Sequence, residues 1–285
     1  MITSTRKKNN TIWISHSGIS DFENCPQLYY FKSIYRDPRT GRRIQAVNPF
    51  LTLGSVVHNV IEESARLPIE ERLKISLKER FEKGWQFWRG KKGGFSSGIM
   101  EEDFLKRGLA MVEKFEKSPL MRAPNFLMGK SPEWGERDLP KVKLFKDEDL
   151  VLVGSIDWIE VLPNKSLHIV DFKTGKNKED KNSLQLPIYH ILASYNLKEP
   201  IERLSYWYLE EDGEPLAMDL ASWKEYFPII RHKALEIKRA IKGNRLTCRS
   251  SNGECFQCRK YKKIALGQAE YVGYDEQMSK DLYFA

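Results

Sequence analysis

A carboxylate and an ammonium stand two residues apart in Ile169-Val170-Asp171-Phe172-Lys173-Thr174-Gly175-Lys176. In an extended strand such positions share one face. Asp171 and Lys173 then look one way, Val170 and Phe172 the other. Taken alone, that spacing also describes an ordinary surface ion pair. A second carboxylate changes the reading. The run from Leu150 to Lys173 has the form of a β-hairpin with turn chemistry at Pro163-Asn164-Lys165. With the turn centred on Asn164, Asp157 and Asp171 are equidistant from it and oppose each other on one side of the sheet. Like charges so opposed destabilise a sheet. A divalent cation between them turns repulsion into binding, since Mg²⁺ takes one or two carboxylates together with phosphate and water. Lys173, on the same face, is set to hold a phosphate or help activate a water. The inference depends on register, because a slip of one residue turns every side chain over.

Several elements must bring further groups to that point. Ser20-Asp21-Phe22-Glu23 has capping-box spacing and predicts a helix start. Pro26 interrupts it and suits the first position of a second helix carrying Gln27 to Arg36. Helices are expected over 54–66, over 69–89 with Leu73, Leu77 and Phe81 on one face, and over 101–117. Residues 91–98 read as a glycine-rich mobile surface loop. Residues 142–172 read as strands, and 204–220 as a hairpin turning at Asp212-Gly213. Between them Leu184 to Tyr195 reads as an apolar helix. Residues 222–242 form a long basic amphipathic helix, and the tail is expected to be helical. The order of elements is that of an α/β core with a helical insertion.

The 285 residues carry 47 Lys and Arg against 39 Asp and Glu, a net charge of +8, with a sequence pI of about 9.1. A basic balance favours a polyanionic partner, nucleic acid first, although a generally basic surface gives the same number. The basic residues fall in groups: Arg36, Arg39, Arg42 and Arg43; Lys91 and Lys92; Lys173, Lys176, Lys178 and Lys181; and Arg231 to Arg245. Such scatter suits a groove assembled from several segments. No apolar run reaches membrane-spanning length. The start, Met1 to Trp13, is basic without an apolar stretch, so no secretory signal is read and a cytoplasmic protein with no membrane partner is expected.

Asp157 followed by Asp171-Phe172-Lys173 resembles the PD-(D/E)XK nuclease signature in its RecB-like branch. Four other segments agree, in family order. Cys25-Pro26-Gln27-Leu28-Tyr29-Tyr30-Phe31 resembles the N-terminal cysteine helix, and Gly54, His58 and Glu62 at four-residue spacing resemble the histidine motif. Gly154-Ser155-Ile156-Asp157 is similar to the strand of the first acid. Gln185-Leu186-Pro187-Ile188-Tyr189 is similar to the Gln-x-x-x-Tyr motif. The iron–sulfur members, of the AddB, Dna-two and Cas-four types, are the most alike.

The resemblance implies a restriction-endonuclease-like α/β fold: a mixed, mainly antiparallel central sheet flanked by helices, with a helical insertion and a cysteine-clipped subdomain. It implies that Asp157, Asp171 and the backbone carbonyl of Phe172 bind Mg²⁺ or Mn²⁺, and that His58 completes the shell. A lone helix histidine is more often a core or surface residue; the two acids shift the balance. Glu62, one turn on, orients His58 or faces solvent. Glu133 or Glu136 matches an additional family acid. Gln185 and Tyr189 share one helical face, with Pro187 between them in a first turn, and the resemblance implies that both contact DNA. Packing is the other reading for Tyr189.

Cys25, Cys248, Cys255 and Cys258 are the only cysteines, and disulfides are not expected in the cytoplasm. Cys255-x-x-Cys258 is a metal-ligand spacing. The resemblance implies a [4Fe–4S] cluster joining the N-terminal helix to the tail, although here the longer gap precedes the Cys-x-x-Cys pair; structural Zn²⁺ is the alternative. The expected organisation is a cysteine subdomain from 1–36 and 240–285, a helical region from 37–130 with the histidine motif, and a nuclease core from 131–239. The expected activity is metal-dependent phosphodiester hydrolysis, as an exonuclease on single-stranded DNA or free ends, in DNA repair, recombination or CRISPR adaptation. A helicase or CRISPR-adaptation partner would be a separate chain. The alternative is a non-catalytic nucleic-acid-binding module with the same fold.

Overall fold

The computed structural model describes residues 11–125, 140–146, 149–219 and 222–285. In chain order its elements begin with β1 (Ile12–Ile14), α1 (His16–Asn24), α2 (Pro26–Tyr29, continued by a π-helical turn over Tyr30–Ile34), β2 (Arg43–Ala46), α3 (Pro49–Ala65) and α4 (Ile69–Arg72). There follow α5 (Leu77–Trp85), α6 (Gly98–Lys117), β3 (Lys141–Lys143), β4 (Leu150–Val153), β5 (Trp158–Val161) and β6 (Leu167–Lys173). The remainder are α7 (Gln185–Asn196), β7 (Ile201–Tyr208), β8 (Leu216–Ala217), α8 (Trp223–Lys242), α9 (Phe256–Ala265), β9 (Glu270–Asp275) and β10 (Lys280–Phe284).

β5 and β6 pair antiparallel, with Trp158 opposite Val170 and Val161 opposite Leu167. This is the register centred on Asn164. β6 continues parallel to β7, and β7 antiparallel to β8, giving the sheet order β5-β6-β7-β8. A second sheet has the order β1-β4-β3 and a third β2-β10-β9. The chain is a mixed α/β protein in which helices cover both faces of the β5-β6-β7-β8 sheet.

Alternation along β6 divides the interior into two cores. Leu167 and Ile169 pack with Leu204 and Tyr206 of β7 against α7 and α8. Val170 and Phe172 pack with Trp158, Trp207 and α3, α5 and α6. On that second face Phe115 of α6 meets Trp158, Phe172 and Trp207 at centroid distances of 5.3, 5.4 and 6.1 Å. Aromatic pairs at these separations add to the burial itself. Phe172 is thus anchored on one side, and its neighbours Asp171 and Lys173 must emerge on the other. A third cluster joins Leu28 and Phe31, Ile44 of β2, Tyr261 and Ile264 of α9, and Tyr283 of β10.

Several sequence expectations are corrected. α1 starts four residues before Ser20, at His16, because Ser15 supplies the cap, its hydroxyl accepting from Gly18 N at 3.1 Å. Residues 69–89 form two helices. Ser76 caps the second, accepting from Glu79 N at 3.2 Å, and Leu73 is left exposed beyond α4. The glycine-rich stretch 91–98 is packed: Phe95 is buried and Gly93 O accepts from the Thr52 hydroxyl at 3.0 Å. The tail is not wholly helical, since β10 runs parallel to β2; the signal was missed because its partner strand lies near the other end of the chain. Pro26 and Pro187 both stand in first turns, as expected.

The contact between α5 and α6 depends on a glycine. A Cβ at Gly108 would lie 2.1 Å from Phe81 Cζ, and Phe81 is fully buried. Crowding of this kind costs about 1–3 kcal/mol, against the ~1 kcal/mol that alanine gains over glycine within a helix. Gly108→Ala is therefore expected to lower unfolding free energy by up to about 2 kcal/mol in urea titration. A variant as stable as the parent would mean that Phe81 has room to shift.

Candidate active site

The acids meet where the hairpin ladder opens. β5 begins at Trp158, so Asp157 stands one residue beyond the last paired position. Its Oδ2 accepts from the Phe172 backbone N at 3.0 Å, closing the ladder with a side chain. The Phe172 carbonyl leaves the strand on the same edge as that N–H. Asp157 Oδ1 lies 3.2 Å from His58 Nδ1 of α3. Gly154 lets α7 come close on the other side: a Cβ there would lie 2.9 Å from Leu192 Cδ1 and 3.5 Å from Tyr189 Cε1.

Asp171 is buried. Its Oδ1 accepts from Gln185 Nε2 at 2.8 Å. Its Oδ2 lies 3.1 Å from Lys173 Nζ, off the hydrogen-bond direction, and so has no hydrogen-bond donor. Burial, and then the Asp157 charge, push the Asp171 carboxyl up to about 7 against the pull of Lys173 and His58. For His58, burial opposes the charged ring, but Asp157, through charge and hydrogen bond, and then Asp171 outweigh it and raise it to about 9. An orphaned carboxylate oxygen, a second carboxylate and an imidazole in one place are a donor set for a divalent cation. The residues fit the metal.

Lys173 is held from three sides, by Asp171 Oδ2, by Glu179 Oε2 at 3.0 Å and by Gln185 Oε1. Burial opposes its charge, yet Asp171 and Glu179 prevail and its pKa is raised, so it is a fixed cation. Gln185 bridges Asp171 and Lys173, and its Nε2 also reaches the Tyr189 hydroxyl at 3.2 Å. Tyr189 is buried against Gly154. Glu62 faces outward and pairs with Arg66 at 2.5 Å, so it does not orient His58. Glu133 and Glu136 lie outside the described residues.

Glu179 is the site residue that sequence reasoning missed. It follows the Thr-Gly turn in a segment without periodicity. Its carboxylate also accepts from the Ser183 hydroxyl at 2.8 Å. Burial works against its charge, but Lys173 prevails and holds it below the ordinary glutamate range.

His58, Asp157, Asp171, Lys173, Gln185 and Tyr189 line one groove of about 1290 Å³ that runs on to Lys32, Arg43 and Lys280. On the opposite sheet face, His168 Nδ1 meets Glu160 Oε2 and its Nε2 meets Ser205 Oγ, both at 2.8 Å. The order suggests a hydrolytic triad, but Ser205 is fully enclosed. A nucleophile must reach its substrate; these three residues tie adjacent strands instead.

The four cysteines, far apart in sequence, converge. Their Sγ atoms all lie within 4.8 Å of one another. Cys25 stands between α1 and α2, Cys255 caps α9, and Cys258 lies one turn into it. Cys25 and Cys258 are buried. Burial opposes the Cys255 thiolate, but the Cys258 N–H and the neighbouring thiols lower it to about 7. Burial raises Cys258 to about 12. Four sulfurs with one thiol already close to ionising suit a metal or an iron–sulfur cluster.

The family model described as PD-(D/E)XK nuclease superfamily matches residues 13–263. No curated protein matches the chain. Among the described residues, no helix is long and apolar enough to cross a membrane.

The orphaned oxygen yields a stability test. A carboxyl raised to about 7 favours its proton in the folded state, so its contribution to stability is lost as pH rises through that value. At pH 8 and without metal, Asp171→Asn is expected to melt at or above the parent temperature. Mn²⁺ at a hundred times its Kd stabilises a specific site by about 2.7 kcal/mol; that rise in Tm should vanish in the variant. An undiminished rise would locate the ion elsewhere.

Proposed function

The chain belongs to the PD-(D/E)XK nuclease superfamily, and from that premise we propose that it is a metal-dependent deoxyribonuclease of the RecB-like, iron–sulfur type, acting as an exonuclease on single-stranded DNA ends. The observation that carries the reading is the meeting of Asp157, Asp171, Lys173 and His58 at one point of an extended groove. Membership supports nuclease chemistry on DNA; an intact acid–acid–lysine set supports activity over a binding-only module, which has no use for opposed carboxylates. Repair, recombination or CRISPR adaptation in the cytoplasm, beside a separate helicase or adaptation partner, is the setting such relatives suggest.

Asp157, Asp171, His58 and the Phe172 carbonyl would hold Mg²⁺ or Mn²⁺. When bound, such an ion supplies Lewis-acid polarisation of the scissile phosphate and a more acidic water. Lys173 keeps its proton, so it stabilises developing negative charge rather than acting as a base. Gln185 fixes the direction of both Asp171 and Lys173 from the first turn of α7, and Tyr189 in turn steadies Gln185. Glu179 keeps the Lys173 ammonium from collapsing fully onto Asp171. Gln185 and Tyr189 therefore act as positioning residues at this site, and any DNA contact is made beside that role.

End-labelled single- and double-stranded DNA tests the activity. With Mg²⁺ or Mn²⁺, the parent should degrade single strands from an end, and EDTA should stop it. Asp157→Ala, Asp171→Ala and Lys173→Ala should each reduce kcat at least 100-fold, about 2.7 kcal/mol of transition-state stabilisation. Gln185→Ala should lower kcat more than it changes KM. Cleavage by Asp171→Ala at the parent rate would sink the assignment.

For Cys25, Cys248, Cys255 and Cys258 we propose a [4Fe–4S] cluster, supported by the likeness to the iron–sulfur members. Zinc is the second reading, favoured by one observation: the 4.8 Å span of the sulfurs is near the ~3.8 Å between thiolates around a tetrahedral zinc with Zn–S of about 2.3 Å. Protein purified without oxygen should be brown, with iron and acid-labile sulfide, and Cys25→Ser should lose both along with soluble yield. Colourless protein with one zinc per chain would decide for zinc and leave the nuclease reading untouched.

A further inference from the structure

The groove that begins at the two acids ends at a second electrostatic conflict, of opposite sign. β2 and β10 run parallel with Arg43 in register with Lys280. Two cations are thus opposed across adjacent strands, which is unfavourable for a sheet that has only itself to stabilise. Both line the same groove as Asp157 and Asp171, and so does Lys32 from the π-helical turn.

The bonds these cations make within the protein do not resolve the conflict. Lys280 Nζ donates to the Gln45 amide oxygen at 3.2 Å, and Arg43 Nη2 to the Met278 carbonyl at 3.2 Å. Among the described residues neither has a carboxylate within ion-pair distance. Lys32 does have one, Asp21 at 2.7 Å. Asp275, in register with Lys280 on its other flank, directs its Oδ1 to the Met278 N–H at 3.1 Å. Lys280 consequently has its pKa lowered to about 8, by burial first and then by Arg43 and Lys32, with Asp275 and Asp21 opposing. A half-buried lysine kept under such pressure, beside an arginine, in a groove leading to a phosphodiesterase centre, is matched to an anion.

We propose that Arg43 and Lys280, with Lys32 beside them, bind an internal phosphodiester of the substrate strand at a second site in the groove. The inference rests on the nuclease reading for the identity of the ligand. Arg43 presents a planar fork and Lys280 a point charge, a pair suited to a single phosphate group. The site would hold the strand at a distance from the bond being cut, so that the substrate must span from the acids to the third sheet. The opposed cations would then be a stability cost retained for binding.

The test is binding without catalysis, so that it is independent of whether the acids cut. A fluorescent single-stranded oligonucleotide is titrated in EDTA over a range of salt concentrations. Lys280→Met and Arg43→Met should each weaken binding about 5- to 10-fold at low salt and lower the slope of log K against log salt by about 0.7 per lost phosphate contact. Lys106→Met, on the exposed face of α6, should change neither. Tm should be unchanged or raised in Lys280→Met, because a repulsion is removed; a structural role would lower it. Equal losses with and without a 5′-phosphate support an internal phosphodiester. The proposal is overturned by unchanged affinity and salt slope in both variants, by a loss confined to 5′-phosphorylated strands, or by a parent protein that does not bind single strands. Failure of binding here leaves the assignment of the acids to be judged by its own cleavage assay.

Discussion

The register between β5 and β6 governs the rest of the molecule. Trp158 faces Val170, and Phe172 locks into the aromatic cluster around Phe115. With that face filled, Asp171 and Lys173 have only one direction to take. Shifting the ladder by a residue would drive a carboxylate among Trp158, Trp207 and Phe115 and turn Phe172 toward Gln185. The aromatic core thus does electrostatic work: burial of large rings on one side holds two carboxylates near each other on the other. Neither acid would settle there by its own preference.

How far this was legible from sequence differs by residue. The hairpin register was legible because a turn at Pro163-Asn164-Lys165 and period-two burial leave few alternatives. His58, Gln185 and the cysteines were legible through family resemblance, since their partners are remote in the chain. The role of Gln185 was not. Spacing puts it on a helical face, but only the approach of α7 over Gly154 shows that it reaches Asp171 and Lys173 directly. Glu179 lacked any signal: a lysine ammonium at 3.0 Å has no imprint in a segment without periodicity. Ser76 followed by Glu79 was a helix start in plain view, overridden by the four-residue spacing of Leu73, Leu77 and Phe81 that ran across it.

Charge clusters read along the chain also proved a poor guide to the groove. Arg39 spends its guanidinium on Asp37 and Arg42 on Asp281, although both belong to the most basic-looking stretch. Lys32 and Lys280, in no cluster by sequence, reach the groove with Arg43 because the π-helical turn, β2 and β10 meet there. The sign of the groove changes from one end to the other, acids at the hairpin and cations at the third sheet. A polyanion with a bound cation at one end complements both.

The pairing of β2 with β10 and the convergence of Cys25 on the three C-terminal cysteines also have a temporal side. Synthesis delivers Phe31 and Ile44 to the medium long before Tyr261, Ile264 and Tyr283, which cover them in the finished protein. Contacts of such sequence separation form slowly, and an unpaired strand edge left waiting is open to the wrong partner. The aromatic cluster needs nothing beyond Leu209 to assemble, so one face of the hairpin can be covered on the ribosome while α8 and the third sheet are still unfinished. The protein is therefore born in two instalments, with its most vulnerable interval between them.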